Sequence, residues 1–86
     1  MKDLEKIFKA FANRRRLAIL KYLKNKKEAS VADVSENINL SFKATSKHLN
    51  ILAAIDVIEK DQRSLQVFYS LSAAPKPVIQ RLISIL

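Results

Sequence analysis

The feature that constrains this chain most is a pair of potential helix-capping serines, Ser30 and Ser41, that lie one short helix apart. Asp33 follows Ser30 at the spacing of a capping box, and residues 31–38 then place apolar side chains at helical spacing. Ser41 opens a second amphipathic segment over about residues 42–54. Two helices joined by so tight a turn predict a helix-turn-helix at about residues 31–54.

Helices are also expected at both ends of the chain. Residues 3–12 carry apolar side chains at helical spacing behind an acidic first turn, and Asn13 can cap a second helix over residues 14–25. The two prolines break the chain at the start of a terminal helix within about residues 76–86, since proline is tolerated in a helix's first turn.

Beyond the helix-turn-helix the apolar pattern changes to a period of two residues. Residues 57–60 and 65–71 are predicted strands of a β-hairpin. In the second, Leu65, Val67, Tyr69 and Leu71 alternate with Gln66, Phe68 and Ser70. The tip at residues 61–64 lacks the Asn-Gly or Asp-Gly pair of a two-residue turn, so a loop of about four residues is expected. This hairpin, at about residues 57–71, is a candidate wing.

The chain of 86 residues is predicted to form a single domain with one modest core. The fold class is mainly α (α+β): a winged helix-turn-helix with about five helices and a two-stranded β-hairpin wing. Neither a membrane-spanning run nor a signal peptide is present, which favours a soluble, cytoplasmic protein without a membrane partner. The absence of cysteine excludes disulfides, thiolate metal sites and cysteine nucleophiles.

Positive charge points to a nucleic-acid partner. The chain has 16 Lys+Arg against 8 Asp+Glu, a net charge of +8, and such an excess attracts polyanions. No acidic residue occurs between Glu36 and Asp56, a window that contains the second helix of the helix-turn-helix. A lysine-rich surface that merely keeps the chain in solution is the alternative. The placement of the charge favours double-stranded DNA.

A helical wheel of residues 42–54 separates a polar stripe from an apolar arc. With Phe42 at zero, the stripe members lie at roughly 40°, 80°, 100° and 140°. They are Ser46, Asn50, Lys43 and Lys47. Lysine can bond guanine acceptors or phosphate, asparagine can pair with adenine, and serine can bond either a base or a phosphate, so this polar stripe suits a helix in the major groove. An ordinary solvated helix face is the alternative.

The only histidine, His48, falls in the apolar arc at roughly 240°. Ser46 points to the other side of the helix and no carboxylate lies within a turn, so a catalytic pair is not expected. A lone histidine without cysteines does not make a metal site. We expect a semi-buried histidine bonded to backbone or to a neighbouring element, and a protein that is not an enzyme and has no metal or cofactor.

These residues resemble the ArsR/SmtB family of winged-helix transcriptional repressors. EKIFKAFANRRRLAILKYL resembles the family's first two helices, and VFYSL resembles the end of its wing. LSFKATSKHLNIL resembles its recognition helix, with Ser46, His48 and Leu49 in place. The resemblance implies a homodimer, paired through its first and last helices, that binds a pseudo-palindromic operator with recognition helices in successive major grooves.

The stretch EASVADV aligns with the family's metal-sensing segment but carries Ser30 and Ala32 where soft-metal sensors have thiolates. The terminal helix also lacks the histidine and acidic ligands of the family's zinc and nickel sites. The expected function is a sequence-specific DNA-binding regulator, as a homodimeric repressor without a thiolate metal effector site. A small-molecule effector is left unknown.

The residues predicted to contact DNA belong to the polar stripe, the start of its helix and the wing. Phe42 either meets a thymine methyl group or turns inward, and Arg63 either enters a minor groove or meets phosphate. The full set is Ser41, Phe42, Lys43, Ser46, Lys47, Asn50, Arg63 and Ser64.

The terminal helix carries apolar residues on more than one face. This is more apolar surface than a helix needs if it covers only the core of a small monomer. The alternative is that both terminal helices only complete one core. The residues predicted to pair two copies are Leu4, Ile7, Phe8, Phe11, Ile79, Leu82, Ile83 and Leu86.

Two further functions are compatible with the same fold. A winged-helix subunit can use its faces for protein interaction, and a chromatin-associated protein can bind DNA without sequence preference.

Overall fold

The computed structural model describes residues 2–86, which form five α-helices and one three-stranded antiparallel sheet. The elements in chain order are α1 Lys2–Phe11, α2 Arg14–Lys26, β1 Glu28–Ser30, α3 Val31–Ile38, α4 Phe42–Ala54, β2 Ile58–Arg63, β3 Gln66–Leu71 and α5 Pro77–Ser84. The predicted winged-helix class is confirmed. None of the helices in the described part is long and apolar enough to cross a bilayer.

Side-chain caps begin the three central helices where the sequence predicts them. Asn13 Oδ1 accepts hydrogen bonds from two backbone N–H groups of α2, and the Ser41 hydroxyl accepts one at the start of α4. Ser30 and Asp33 form a reciprocal capping box at the start of α3. Asn39 ends α3 with φ of 54°, a left-handed conformation that asparagine adopts more readily than most residues. The turn between α3 and α4 therefore forms without glycine.

The sheet contains a strand that the sequence did not predict. β3 lies in the centre, with β2 on one side and β1 on the other. In β1, Glu28 pairs with Ser70 and Ser30 with Phe68. Three residues are too few to show a two-residue alternation, and their hydrogen-bonding partners lie far along the chain. β1 joins the start of the helix-turn-helix to the base of the wing.

The prediction for the hairpin tip was wrong in two respects. β2 continues to Arg63, which pairs with Gln66, so the tip consists of Ser64 and Leu65 instead of a four-residue loop. Leu65 does not begin the second strand, which starts at Gln66; it lies at the tip and is 96% exposed. Ser64 adopts φ of 57°, which costs a non-glycine residue roughly 1–2 kcal/mol. A serine thus takes the position for which a two-residue turn normally favours glycine or asparagine.

The core lies between α2, α3, α4 and the sheet, and both terminal helices contribute to it. Ile19 and Leu20 of α2, like Leu49 and Leu52 of α4, have no exposed surface. The terminal helices add Ile7, Phe11 and Ile79, which are 3%, 6% and 1% exposed. Three of the eight residues predicted for pairing are therefore already buried in the chain's own core. A pairing surface would be formed by the others.

Candidate nucleic-acid interface

The two faces of α4 differ in burial as the helical wheel predicts. Thr45, Leu49 and Leu52 are 0% exposed on the inner face. On the outer face Lys43, Lys47 and Asn50 are exposed and Ser46 is half-buried. The structure brings all four members of the polar stripe to one surface of the helix. Their contact with DNA stays a prediction.

Phe42 stands at the first position of α4, beside the polar stripe. Its side chain is 61% exposed, so the alternative in which it turns inward is wrong. An aromatic ring exposed at the start of the second helix of a helix-turn-helix is placed where such helices contact base edges. The remaining alternative for Phe42 is an apolar contact with a thymine methyl group.

His48 is half-buried and bonded to a neighbouring helix, which confirms the expectation for this residue. The Arg16 guanidinium of α2 donates to His48 Nδ1, with a distance of 3.0 Å between nitrogen atoms. Burial, and then the positive charges of Arg16 and Arg15, lower the pKa of His48 below its usual range. His48 is therefore a neutral acceptor at pH 7. Its role is to attach α4 to α2.

Two arginines of α2 fix the geometry of the helix-turn-helix, and no local sequence pattern predicted a role for either. Arg16 also donates through Nε to the Ala10 carbonyl oxygen at 2.7 Å, so it joins α1, α2 and α4. Arg15 donates to the Ile38 carbonyl oxygen at 3.2 Å. This gives a hydrogen-bond partner to a carbonyl group at the end of α3 that has none within the helix. Helix-turn-helix function depends on the angle between α3 and α4, which these contacts hold.

The wing places Arg63 against carboxylates of its own sheet. Its Nη1 and Nη2 donate to the two Glu28 carboxylate oxygens at 2.9 and 2.5 Å, and its Nε donates to Asp61 at 3.0 Å. The guanidinium carbon also lies 4.7 Å from the centre of the Phe68 ring. Arg63 lowers the pKa of Glu28, and the two carboxylates raise the pKa of Arg63.

Arg63 therefore lies across the sheet towards β1, and Ser64 and Leu65 form the tip of the wing. A contact between Arg63 and DNA requires phosphate to replace Glu28 and Asp61. Such a replacement is feasible because ion pairs exposed to water contribute little to stability. Glu28 belongs to the strand that was not predicted, so no local sequence signal indicated this ion pair.

Residues 2–86 contain no group of three His, Asp or Glu side chains that converge on a metal position. Ser30, at the position where the ArsR/SmtB resemblance places a metal thiolate, is bonded instead to Asp33 in the capping box. Its hydroxyl oxygen accepts from a backbone N–H group, which is a structural role.

The chain is similar in sequence and structure to bacterial regulatory proteins. Residues 13–60 match the model of a family described as "Bacterial regulatory protein, arsR family". The transcriptional repressor SdpR of Bacillus subtilis is 33% identical over 69 residues, which are 80% of this chain and 76% of SdpR. Reduced HlyU from Vibrio cholerae is 33% identical and superimposes with a TM-score of 0.83, over 99% of this chain and 85% of that one.

A third structure shares the fold at lower identity. It is the homodimeric winged helix-turn-helix DNA-binding domain of Mb0332 from Mycobacterium bovis, a possible ArsR-family transcriptional regulator. The two chains are 23% identical with a TM-score of 0.82, over 98% of this chain and 74% of that domain. Family and relatives confirm that the chain is not an enzyme. The chain belongs to the ArsR family of winged-helix, DNA-binding transcriptional regulators.

Proposed function

We propose that the chain is a homodimeric, sequence-specific repressor that inserts α4 into the DNA major groove and has no thiolate metal effector site. The observation that carries the proposal is the polar stripe. It lies outward on the second helix of a helix-turn-helix, and Thr45, Leu49 and Leu52 on the opposite face of that helix are fully buried. SdpR, which is a transcriptional repressor, supports the direction of regulation.

Each residue of the interface has a role that follows from its chemistry. Lys43 and Lys47 meet guanine acceptors or phosphate, Asn50 reads adenine, and Ser46 bonds a base or a phosphate. Successive members of this set lie one to three residues apart along α4, less than one helical turn, so neighbouring side chains can reach adjacent base pairs. The Ser41 backbone at the start of α4 meets a phosphate, because helix N-termini favour anions.

The wing contributes less charge than the helix does. Ser64 stands at the tip and bonds the DNA backbone, and Arg63 joins it after releasing Glu28 and Asp61. We expect most of the salt-sensitive binding to come from the lysines of α4, because neither of them is paired with a carboxylate among the described residues.

Two alanine substitutions test the role of α4. In Lys43→Ala/Lys47→Ala the slope of log affinity against log salt should become shallower by about 1.8, if each lysine neutralises one phosphate. The matched control is Lys21→Ala/Lys26→Ala, which removes equal charge from exposed positions of α2. Affinity is measured by fluorescence anisotropy at several salt concentrations. If both double variants have the wild-type slope, α4 is not the DNA-binding element.

Pairing is proposed through the outer faces of the terminal helices. Phe8 is 49% exposed, and Ile85, which was not in the predicted set, is 76% exposed. Leu4, Leu82, Ile83 and Leu86 are half-buried at the same surfaces. The homodimeric state of the Mb0332 domain supports a dimer.

Light scattering tests this pairing surface. Phe8→Lys/Ile85→Lys should convert the dimer to a monomer, because each copy would place new charges in an apolar interface. Leu65→Lys is the control, since Leu65 is exposed at the wing tip and away from α1 and α5. A wild-type chain that is monomeric up to high micromolar concentration would contradict the proposal.

A further inference from the structure

A cavity of about 550 Å³ opens between α1, the end of α4 and the segment that leads into α5. Its volume is within the range of pockets for small molecules. The lining is mainly apolar and includes Ile7 of α1 together with Ile51 and Ile55 of α4. Ile51 is 43% exposed, so this apolar floor is open to water in the single chain.

The rim of the cavity has an excess of positive charge. Lys6, Lys9, Lys76 and Arg16 line it, against the two carboxylates of Asp3 and Asp56. Within residues 2–86 none of the three lysines forms an ion pair. An apolar floor below unpaired cations favours a molecule with an apolar body and one negative charge.

The cavity is separate from the surfaces assigned above. Leu4 and Phe8, which carry the proposed pairing face of α1, do not line it. The polar stripe of α4 does not line it either, because Ile51 and Ile55 lie beside that stripe on the helix. The cavity can therefore be occupied while the pairing face and the polar stripe remain available.

We propose that this cavity binds a small organic carboxylate with an alkyl or aromatic body. The carboxylate lies among the lysines of the rim, and the apolar body covers Ile51 and Ile55. Such a ligand contacts α1 and α4 at the same time.

Arg16 connects the cavity to the position of α4. The same side chain lines the cavity, bonds the Ala10 carbonyl oxygen of α1 and donates to His48 of α4. A ligand that prefers one arrangement of these contacts changes the affinity for DNA, and DNA changes the affinity for the ligand by the same factor. This coupling rests on the proposed function, whereas ligand binding itself does not.

Decanoate is the probe, titrated into the full chain without DNA and followed by NMR. We expect amide signals of residues 6–10 and 51–56 to shift. Decyltrimethylammonium has an alkyl chain of similar length with the opposite charge, and acetate has the same charge without the chain. Both should bind at least about tenfold more weakly, a difference of roughly 1.4 kcal/mol. Equal affinity for decyltrimethylammonium, or shifts confined to other residues, would overturn the assignment.

Two variants test the apolar floor and the charged rim of the cavity separately. Ile51→Glu places a carboxylate on the floor at a half-exposed position, and Lys6→Glu/Lys76→Glu reverses charge on the rim. Each should weaken decanoate binding by at least about tenfold. Lys21→Glu, on an exposed position of α2 outside the cavity, should have the wild-type affinity. Wild-type affinity in both cavity variants would exclude the site.

The coupling has a separate measurement. Saturating decanoate should change the affinity of the wild-type chain for DNA and should have little effect in Lys6→Glu/Lys76→Glu. If decanoate binds at the cavity but leaves DNA affinity unchanged, the coupling is wrong. If the chain binds no DNA at all, the proposed function is wrong and the NMR result still decides whether the cavity is a ligand site.

Discussion

Replacing Thr45 with valine should stabilise the protein. Thr45 is 0% exposed on the inner face of α4, and its hydroxyl has no hydrogen-bond partner among residues 2–86. The Ser41 carbonyl oxygen, one turn earlier, accepts the backbone N–H of Thr45 at 2.9 Å and receives no hydrogen bond from the hydroxyl. A buried polar group without a partner costs about 1–3 kcal/mol. Valine has nearly the same shape and a similar helix propensity but no hydroxyl.

We expect Thr45→Val to raise the free energy of unfolding by about 1 kcal/mol, the lower end of that range. For a domain of this size the increase corresponds to a rise in Tm of roughly 4–8 °C. Urea unfolding followed by circular dichroism measures the change. DNA affinity should stay at the wild-type value, because Thr45 faces away from the polar stripe.

Thr45→Ser is the matched control. It keeps the hydroxyl and removes one methyl group from the core, so it should lower the free energy of unfolding by about 1 kcal/mol. The reasoning is refuted if valine destabilises the chain, since the hydroxyl would then have a partner. Loss of DNA binding in Thr45→Val, without loss of stability, would place Thr45 on the contact surface instead.

Three further outcomes follow from individual contacts. Because the pKa of His48 is lowered on folding, its contribution to stability is complete above about pH 6.5 and is lost as the pH falls through the folded value. His48→Gln should therefore flatten the decline in Tm between pH 7 and about pH 5, and an unchanged decline would exclude His48 as its cause. Asn13→Ala should lower the free energy of unfolding by about 1 kcal/mol in urea, whereas no change would mean that the cap is not formed. Arg63→Ala should raise the pKa of Glu28 towards 4.5 in an NMR titration, and an unmoved pKa would show that the ion pair is absent in solution.

Local patterns were sufficient to predict the helices and the start of the helix-turn-helix. Asn13, Ser30 and Ser41 begin their helices as expected, because a cap depends on residues within one turn of it. The inner and outer faces of α4 were predictable for the same reason, since helical periodicity determines which side chains share a face. Most of the residues that carry the family resemblance lie on these helices, and the rest lie at the end of the wing.

Features that depend on distant partners were not predictable. β1 forms because it pairs with β3, which lies about forty residues further along the chain. Its three residues are too few to show the alternation that predicts a strand. Arg63 was predicted to contact DNA from the wing, but its partner Glu28 lies on that strand. The hairpin tip was misplaced because Ser64 adopts a left-handed φ that its residue type does not signal. The contact of His48 with Arg16 is likewise made between separate helices.

The central claim is that two copies of α4 read a specific DNA sequence. Selection of bound fragments from random duplex DNA, repeated at two salt concentrations, tests it most directly. The proposal predicts enrichment of an inverted repeat whose half-sites are centred about 10 base pairs, or a multiple of that distance, apart. The enrichment should persist at the higher salt concentration and disappear in Lys43→Ala/Lys47→Ala/Asn50→Ala. Binding without any enriched sequence, lost as salt rises, would contradict the claim and favour a non-specific DNA-binding protein or a protein-interaction subunit.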